Sequence, residues 1–182
     1  MPRTWTNSMF IEPALAFYIL LIANKLKPKS SYGHDDISIK LLTQTLDNII
    51  QPVTHIINRS FDTGIVPNEM KMVNVIPVYK SSYPSLLKNY RPVSLLTAFC
   101  KLIETLMFNK FISFLNSNNT LFQHQYGFRS KHSTIHPIIR LLNHCAEVTN
   151  QGNPEFTLAI SCDLSKVFGV INHDILLFKL YS

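Results

Sequence analysis

Three groups of residues have types and spacings suited to chemistry on phosphates. The first centres on Asp163, at the end of Phe156-Thr-Leu-Ala-Ile-Ser-Cys-Asp163. Thr157, Ala159, Ser161 and Asp163 alternate there with Phe156, Leu158, Ile160 and Cys162, the period of two that predicts a strand with one buried face. A carboxylate at the carboxyl end of such a strand is a common place to hold Mg²⁺ for phosphoryl transfer. Leu164-Ser-Lys166 then opens a helical turn. The second group is Asn89-Tyr-Arg-Pro-Val-Ser-Leu-Leu96, with Lys101 and Glu104 on the helix that follows, and the third is Gln125-Tyr-Gly-Phe-Arg-Ser-Lys-His-Ser-Thr134. Arg91 follows Tyr90 and Arg129 follows Phe128; a guanidinium held beside a ring suits bidentate phosphate contact better than the point charge of a lysine. Gly127 lets the backbone turn sharply or approach a ligand. Taken singly, each arginine reads more often as a surface or ion-pair residue.

Other constellations carry less. His132 and His136 are four residues apart, the spacing of one face if that stretch is helical, with His144 and Cys145 beyond, but no ordered four-ligand spacing points to a metal. Ser133, His173 and Asp174 lack the local context of a nucleophile, and Asp174 reads as the cap of a terminal helix containing Ile175, Leu176, Leu177 and Leu180.

Helices and strands alternate in the elements that must position these groups. Ile37, Leu41, Leu42, Leu46, Ile49 and Ile50 recur at helical spacing, and Gln51-Pro52 is expected to end or restart that helix. Val53, Ile56, Ile57, Ser60 and Phe61 form a second apolar face stopped by Thr63-Gly64, with Pro67 beyond. Val73-Asn-Val-Ile-Pro-Val-Tyr79 is β-rich, with Pro77 suggesting an edge or bulge, and 80–89 is a loop. Phe99, Leu102, Ile103, Leu106, Met107, Phe111, Phe114 and Leu115 make one continuous helical core stripe, closed by Asn116-Ser-Asn-Asn119. Ile135, Ile138, Ile139, Leu142 and Ala146 mark another helix, in which Pro137 is tolerable within the first turn. No compositional break argues for two domains.

The 182 residues suffice for one ordinary core, at 46% hydrophobic and 15% charged. The net charge of +6 is uneven: 91–150 holds six Lys/Arg against Glu104 and Glu147, a local excess that favours polyanions such as nucleic acid. Three cysteines without CxxC spacing fit a reducing compartment, so an intracellular site, cytoplasmic or nuclear, is expected. The apolar run 13–23 is too short for the ~20 residues that cross a bilayer. It lacks a cleavage-like flank, and reads as a buried helix rather than a secretion signal.

In order, the Asn89–Leu96 and Gln125–Thr134 groups and Cys162-Asp-Leu-Ser-Lys-Val-Phe168 resemble three successive motifs of reverse transcriptases from non-LTR (LINE, jockey-like) retrotransposons. Leu26-Lys-Pro-Lys-Ser-Ser-Tyr-Gly-His-Asp-Asp-Ile37 and Thr63-Gly-Ile-Val-Pro67 are similar to the segments upstream of them. The resemblance covers about residues 20–180 and implies a mixed α/β (α+β) architecture: an N-terminal segment 1–24 with a short apolar helix, fingers over about 25–154, and the start of a palm over about 155–182. It implies RNA-templated DNA synthesis from deoxynucleoside triphosphates with Mg²⁺. Asp163 matches the first metal-binding aspartate, Phe168 the aromatic beneath the nucleotide sugar, and Arg91 and Arg129 positions that approach nucleotide phosphate or template. Lys166 falls in the same motif as Asp163, where it contacts phosphate or is structural.

Departures weigh against activity. Gly169 and Asn172 stand where the family has Asp, Asp36 stands where Gly is common, and nothing resembles the later Tyr/Phe-x-Asp-Asp turn. A two-metal mechanism needs those further carboxylates, so these residues alone are expected to be inactive and to hold Mg²⁺ only weakly. The alternative is a non-catalytic remnant that binds nucleic acid through the basic 91–150 surface or recruits a protein partner at the exposed palm edge. A third reading has the missing carboxylates supplied by a second polypeptide.

Overall fold

A computed structural model describes residues 9–29, 31–150, 158, 160–163 and 171–181. It has the expected mixed architecture of helices and one small sheet: α1 (Ala16–Lys25), α2 (Ile39–Thr63), α3 (Asn68–Lys71), β1 (Asn74–Tyr79), a 3-10 turn (Leu87–Asn89), β2 (Tyr90–Leu95), α4 (Ala98–Ser117), α5 (Ile135–Asn150) and α6 (His173–Tyr181). The chain divides into two compact units, Met1–Leu121 and Phe122–Ser182. The division follows the polar run that closes α4 and is not marked by any shift in composition.

The first unit is built on α2. Its buried residues Ile39, Leu42, Leu46, Ile50, Val53, Ile57 and Ser60 fall three or four apart, one face of a single helix of 25 residues. Ser38 starts the helix by accepting a hydrogen bond from the Leu41 amide (3.1 Å), and Gly64, at φ 69, ends it in the left-handed conformation that only glycine adopts without strain. The expected break at Pro52 does not occur. Pro52 has no N–H to give the Asn48 carbonyl, but both residues are exposed, so water can satisfy that oxygen. An interior proline costs about 3 kcal/mol. Burying Val53 and Ile57 beyond it returns roughly 1.5–3 kcal/mol each, which keeps the stripe in register.

Two helices pack on this face and on each other. α1 contributes Ile19, Ile22 and Ala23, so the apolar run 13–23 is a core helix, as its length suggests. No helix among the described residues is long and apolar enough to cross a membrane. α4 contributes Ala98, Leu102, Ile103 and Leu106. The core stripe expected along the whole of α4 is therefore buried only in its first half. Beyond it, Met107 and Phe111 line an open apolar groove of about 870 Å³ with Ile11, Phe61 and Val66.

Polar contacts fix how these helices enter the core. The Asn58 side chain on α2 forms a reciprocal pair with the backbone of Ala14, accepting from its amide (2.6 Å) and donating to its carbonyl (3.0 Å). Thr97 caps α4 by accepting from the Cys100 amide (3.1 Å). Gly33 packs so closely on that cap that a Cβ would lie 2.8 Å from the Thr97 Cα and N. Asp36 sits at φ 55, in the left-handed region; aspartate is among the few residues other than glycine that tolerate it.

β1 and β2 form an antiparallel hairpin, paired from Asn74 with Leu95 to Tyr79 with Tyr90. The expected β segment is thus confirmed, and the Arg91 motif supplies its partner strand. Pro77 lies opposite Pro92. Lys80 N–H donates to the Asn89 carbonyl (2.8 Å), and counting along the ladder from that pair makes 78/91 and 76/93 bonded pairs and 77/92 a non-bonded pair. Both prolines therefore face their missing donors outward, interrupt no ladder bond, and blunt the two edges of the hairpin.

Replacing Asn58 with Ala should lower stability by about 1–3 kcal/mol, because two backbone groups of Ala14 lose their partner; urea denaturation measures it. Gly33→Ala should also destabilise, since the nearest atoms are backbone and cannot rotate away. On α4, burial, the negative charge of Glu104 and a 3.7 Å hydrogen bond to that carboxylate raise the Cys100 thiol from 9.0 to about 11. The folded state then holds this proton more tightly than the unfolded chain. Its contribution is complete below pH 9.0 and should be lost as pH rises to about 11. At pH 8, iodoacetamide should modify exposed Cys162 well before Cys100.

Candidate nucleic-acid interface

Arg91 is carried by β2, where it is directly opposite Val78 and shares a face with Ile76 and Val93. Its neighbour Tyr90 points to the other face and meets Tyr79 edge to face, ring centroids 5.6 Å apart. The strand alternation thus separates Arg91 from the ring beside it in sequence, so Tyr90 braces the hairpin and not the guanidinium. The Tyr79 hydroxyl donates to the Ser82 carbonyl and Asn89 Nδ2 to the Tyr83 carbonyl (2.8 Å), which ties the connection back on itself. Arg91 is exposed, and no carboxylate among the described residues pairs with it.

Arg129 belongs to the second unit, in an irregular segment leading to α5. Its Nη1 donates to the Phe122 carbonyl (3.1 Å), leaving its other N–H groups free of any protein carboxylate among the described residues. Phe128 and Lys131 on either side have φ 59 and 63. The segment is held by aromatic and basic side chains. Phe122 meets His124 edge to face at 5.0 Å, Tyr126 stacks on His136 at 6.1 Å and 5° between planes, and His132 lies 5.9 Å from Tyr126. Arg140 contacts His124, with Nη2 3.2 Å from Nε2, and its Nη1 donates to the Tyr126 hydroxyl at 3.4 Å.

His132 and His136 thus work as packing and hydrogen-bonding rings. His136 Nδ1 accepts from the Ser133 amide (2.9 Å), and His132 Nδ1 donates to the Ser130 carbonyl (3.0 Å). Sequence reasoning passed over Arg140 and His124. The available signal was that Arg140 lies four residues after His136, one turn along the same helical face. Pro137 falls in the first turn of α5, where its missing donor is harmless.

Asp163 is described and exposed, and the residues 160–163 are not assigned to a strand. Of the strand expected to end at Asp163, residue 158 is likewise described without strand assignment, and 156, 157 and 159 lie outside the described residues. Among the described residues the sheet is the hairpin alone. Lys166, Phe168 and Gly169 also lie outside the described residues. A Mg²⁺ ion needs near-octahedral oxygens. Among the described residues no three His, Cys, Asp or Glu side chains come together as a metal site.

The terminal helix is capped differently from the expectation. Asn172, not Asp174, starts α6: its Oδ1 accepts from the Ile175 amide (3.0 Å) and its carbonyl from the Leu176 amide (3.1 Å). Asp174 lies inside the first turn, where its charge complements the helix dipole. Asparagine is among the residue types favoured at an N-cap.

Residues 78–182 match the family described as Reverse transcriptase (RNA-dependent DNA polymerase). The chain is 28% identical over 173 residues to the Probable RNA-directed DNA polymerase from transposon BS of Drosophila melanogaster, covering 94% of this chain and 19% of that protein. It is 28% identical over 156 residues to the RNA-directed DNA polymerase from mobile element jockey of the same fly (85% and 17%), and 26% identical over 172 residues to its Drosophila funebris counterpart (94% and 19%). The chain therefore spans about a fifth of the length of these relatives. The match begins inside β1 and takes in both arginine motifs and Asp163; this chain belongs to the reverse transcriptase (RNA-dependent DNA polymerase) family.

Proposed function

We propose that these residues form the fingers, over about 25–154, and the onset of the palm, over about 155–182, of a retrotransposon RNA-directed DNA polymerase. In this reading Arg91 and Arg129 meet nucleotide or template phosphate, Asp163 is the first of several metal-holding carboxylates, Lys166 assists at phosphate, and Phe168 lies against the sugar. Taken alone the 182 residues bind nucleic acid without polymerising, because one carboxylate cannot hold the two ions that activate the attacking oxygen and steady the leaving group. The observation that carries the reading is electrostatic: both motif guanidiniums lack a carboxylate partner among the described residues, within a stretch that holds six Lys/Arg and two Glu.

Fluorescence anisotropy with a labelled single-stranded RNA should show binding that weakens steeply from 50 to 200 mM salt. Arg91→Ala with Arg129→Ala should lower affinity for all sequences and reduce the salt slope by about 2. Lack of binding at low salt would refute the reading. In primer extension with Mg²⁺ the chain should give no product above its Asp163→Asn variant; extension would show that the carboxylate set is sufficient after all.

A second reading, that of a protein-interaction surface, has its own support. Ile175, Leu176, Leu177, Phe178 and Leu180 are all exposed on α6. An apolar helix of this kind favours association, with protein or with itself. Sedimentation at increasing concentration should show self-association that Leu177→Glu with Phe178→Glu suppresses; a concentration-independent monomer excludes the self-associating form.

A further inference from the structure

The segment from 122 to 134 is unusual in how it is held. Phe128 and Lys131, both side-chain-bearing residues, adopt left-handed φ values within four positions, and Phe128 is 87% exposed. Such backbone persists only where surrounding contacts fix it. Burial does not do so here, since no described residue of 122–150 is buried. Within the segment, Gln125 bonds to Phe122 and Gly127, and His132 to Arg129 and Ser130. The contacts that tie it to α5 come from two residues one turn apart on that helix. His136 accepts from the Ser133 amide and stacks on Tyr126. Arg140 reaches the Tyr126 hydroxyl and His124, and His124 packs against the ring of Phe122, whose carbonyl receives Arg129.

We infer that His136 and Arg140 are positioning residues, a clasp that holds the 122–134 segment in the shape that presents Arg129 to a nucleic-acid phosphate. The inference rests on the proposed function and deepens it. Arg140 has a feature that lysine lacks: a planar fork whose two terminal nitrogens can engage His124 and Tyr126 together. Those two residues stand on either side of Gln125, so a single guanidinium fixes the chain just ahead of Gly127 and Arg129. Arg140 acts through the loop and makes no demand on the RNA itself.

The segment carries its own reporter, because trypsin cleaves after Arg129 and Lys131. In the full chain, Arg140→Ala should speed cleavage at these two bonds at least fivefold, read by mass spectrometry. Tyr126→Phe, which deletes one oxygen and keeps the stack on His136, should speed it less. Arg140→Ala should also weaken RNA binding severalfold in the parent chain yet add nothing in an Arg129→Ala background, since its effect passes through Arg129. Equal cleavage rates overturn the clasp. Independent, multiplying losses of affinity overturn it too, because they mark Arg140 as a direct RNA contact. If circular dichroism shows that Arg140→Ala unfolds α5, Tyr126→Phe carries the same two measurements, with unchanged rates or multiplying losses again overturning the clasp. A parent chain that binds no RNA at low salt refutes the proposed function itself, an outcome separate from either of these.

Discussion

The first unit depends on one unbroken apolar face. From Ile39 to Ile57, α2 turns every third or fourth residue toward the core it shares with α1 and α4, which also pack on each other. The face must run through Pro52 to do this. Helix propensity disfavours a proline there, but the freed carbonyl of Asn48 is on the wet side, and the apolar side continues without a slip. A helix ended at Gln51 would rotate Val53 and Ile57 out of line with Leu46 and Ile50. Packing outweighs local preference at this site, as it does wherever burial on both sides of a breaker exceeds the loss of one hydrogen bond.

What lies on that core is tethered by small polar devices. Asn58 fastens the chain entering α1, while Thr97 and Gly33 fix the start of α4 directly after β2. The hairpin bearing Arg91 therefore has a fixed exit into the core even though its own side chains are largely exposed. Its paired prolines keep both edges poor in donors, which suits a strand pair that has to remain open to solvent without recruiting further strands.

The two arginines are supported in contrasting ways. Arg91 is set by strand register, a backbone property that many side chains would preserve. Arg129 bonds to the Phe122 carbonyl within a set of side-chain contacts among Phe122, His124, Tyr126, His136 and Arg140, and none of the described residues from 122 to 150 is buried. Segments held in this manner belong to the less stable part of a molecule and open more readily than a packed core.

Sequence alone missed buried Ile39 and placed Leu41 and Ile56, both exposed, on the apolar face of α2. It did determine the rest of that face and most of the first half of α4, where the helix after Phe61 stops, and which family the ordered motifs around Arg91, Arg129 and Asp163 belong to. Those features follow from periodicity, from the conformational freedom of Gly64, and from residue types at fixed spacing, all local properties of the chain. Tertiary structure decided the rest. Whether Pro52 breaks its helix depends on which side meets water. How far the α4 stripe is buried depends on where α1 and α2 end beside it. That Tyr90 serves the hairpin and not Arg91 follows from strand alternation once a partner strand is in register. The role of Arg140 was invisible for a similar reason: its partners His124 and Tyr126 are 16 and 14 residues away, and only a folded backbone brings them within reach of one guanidinium.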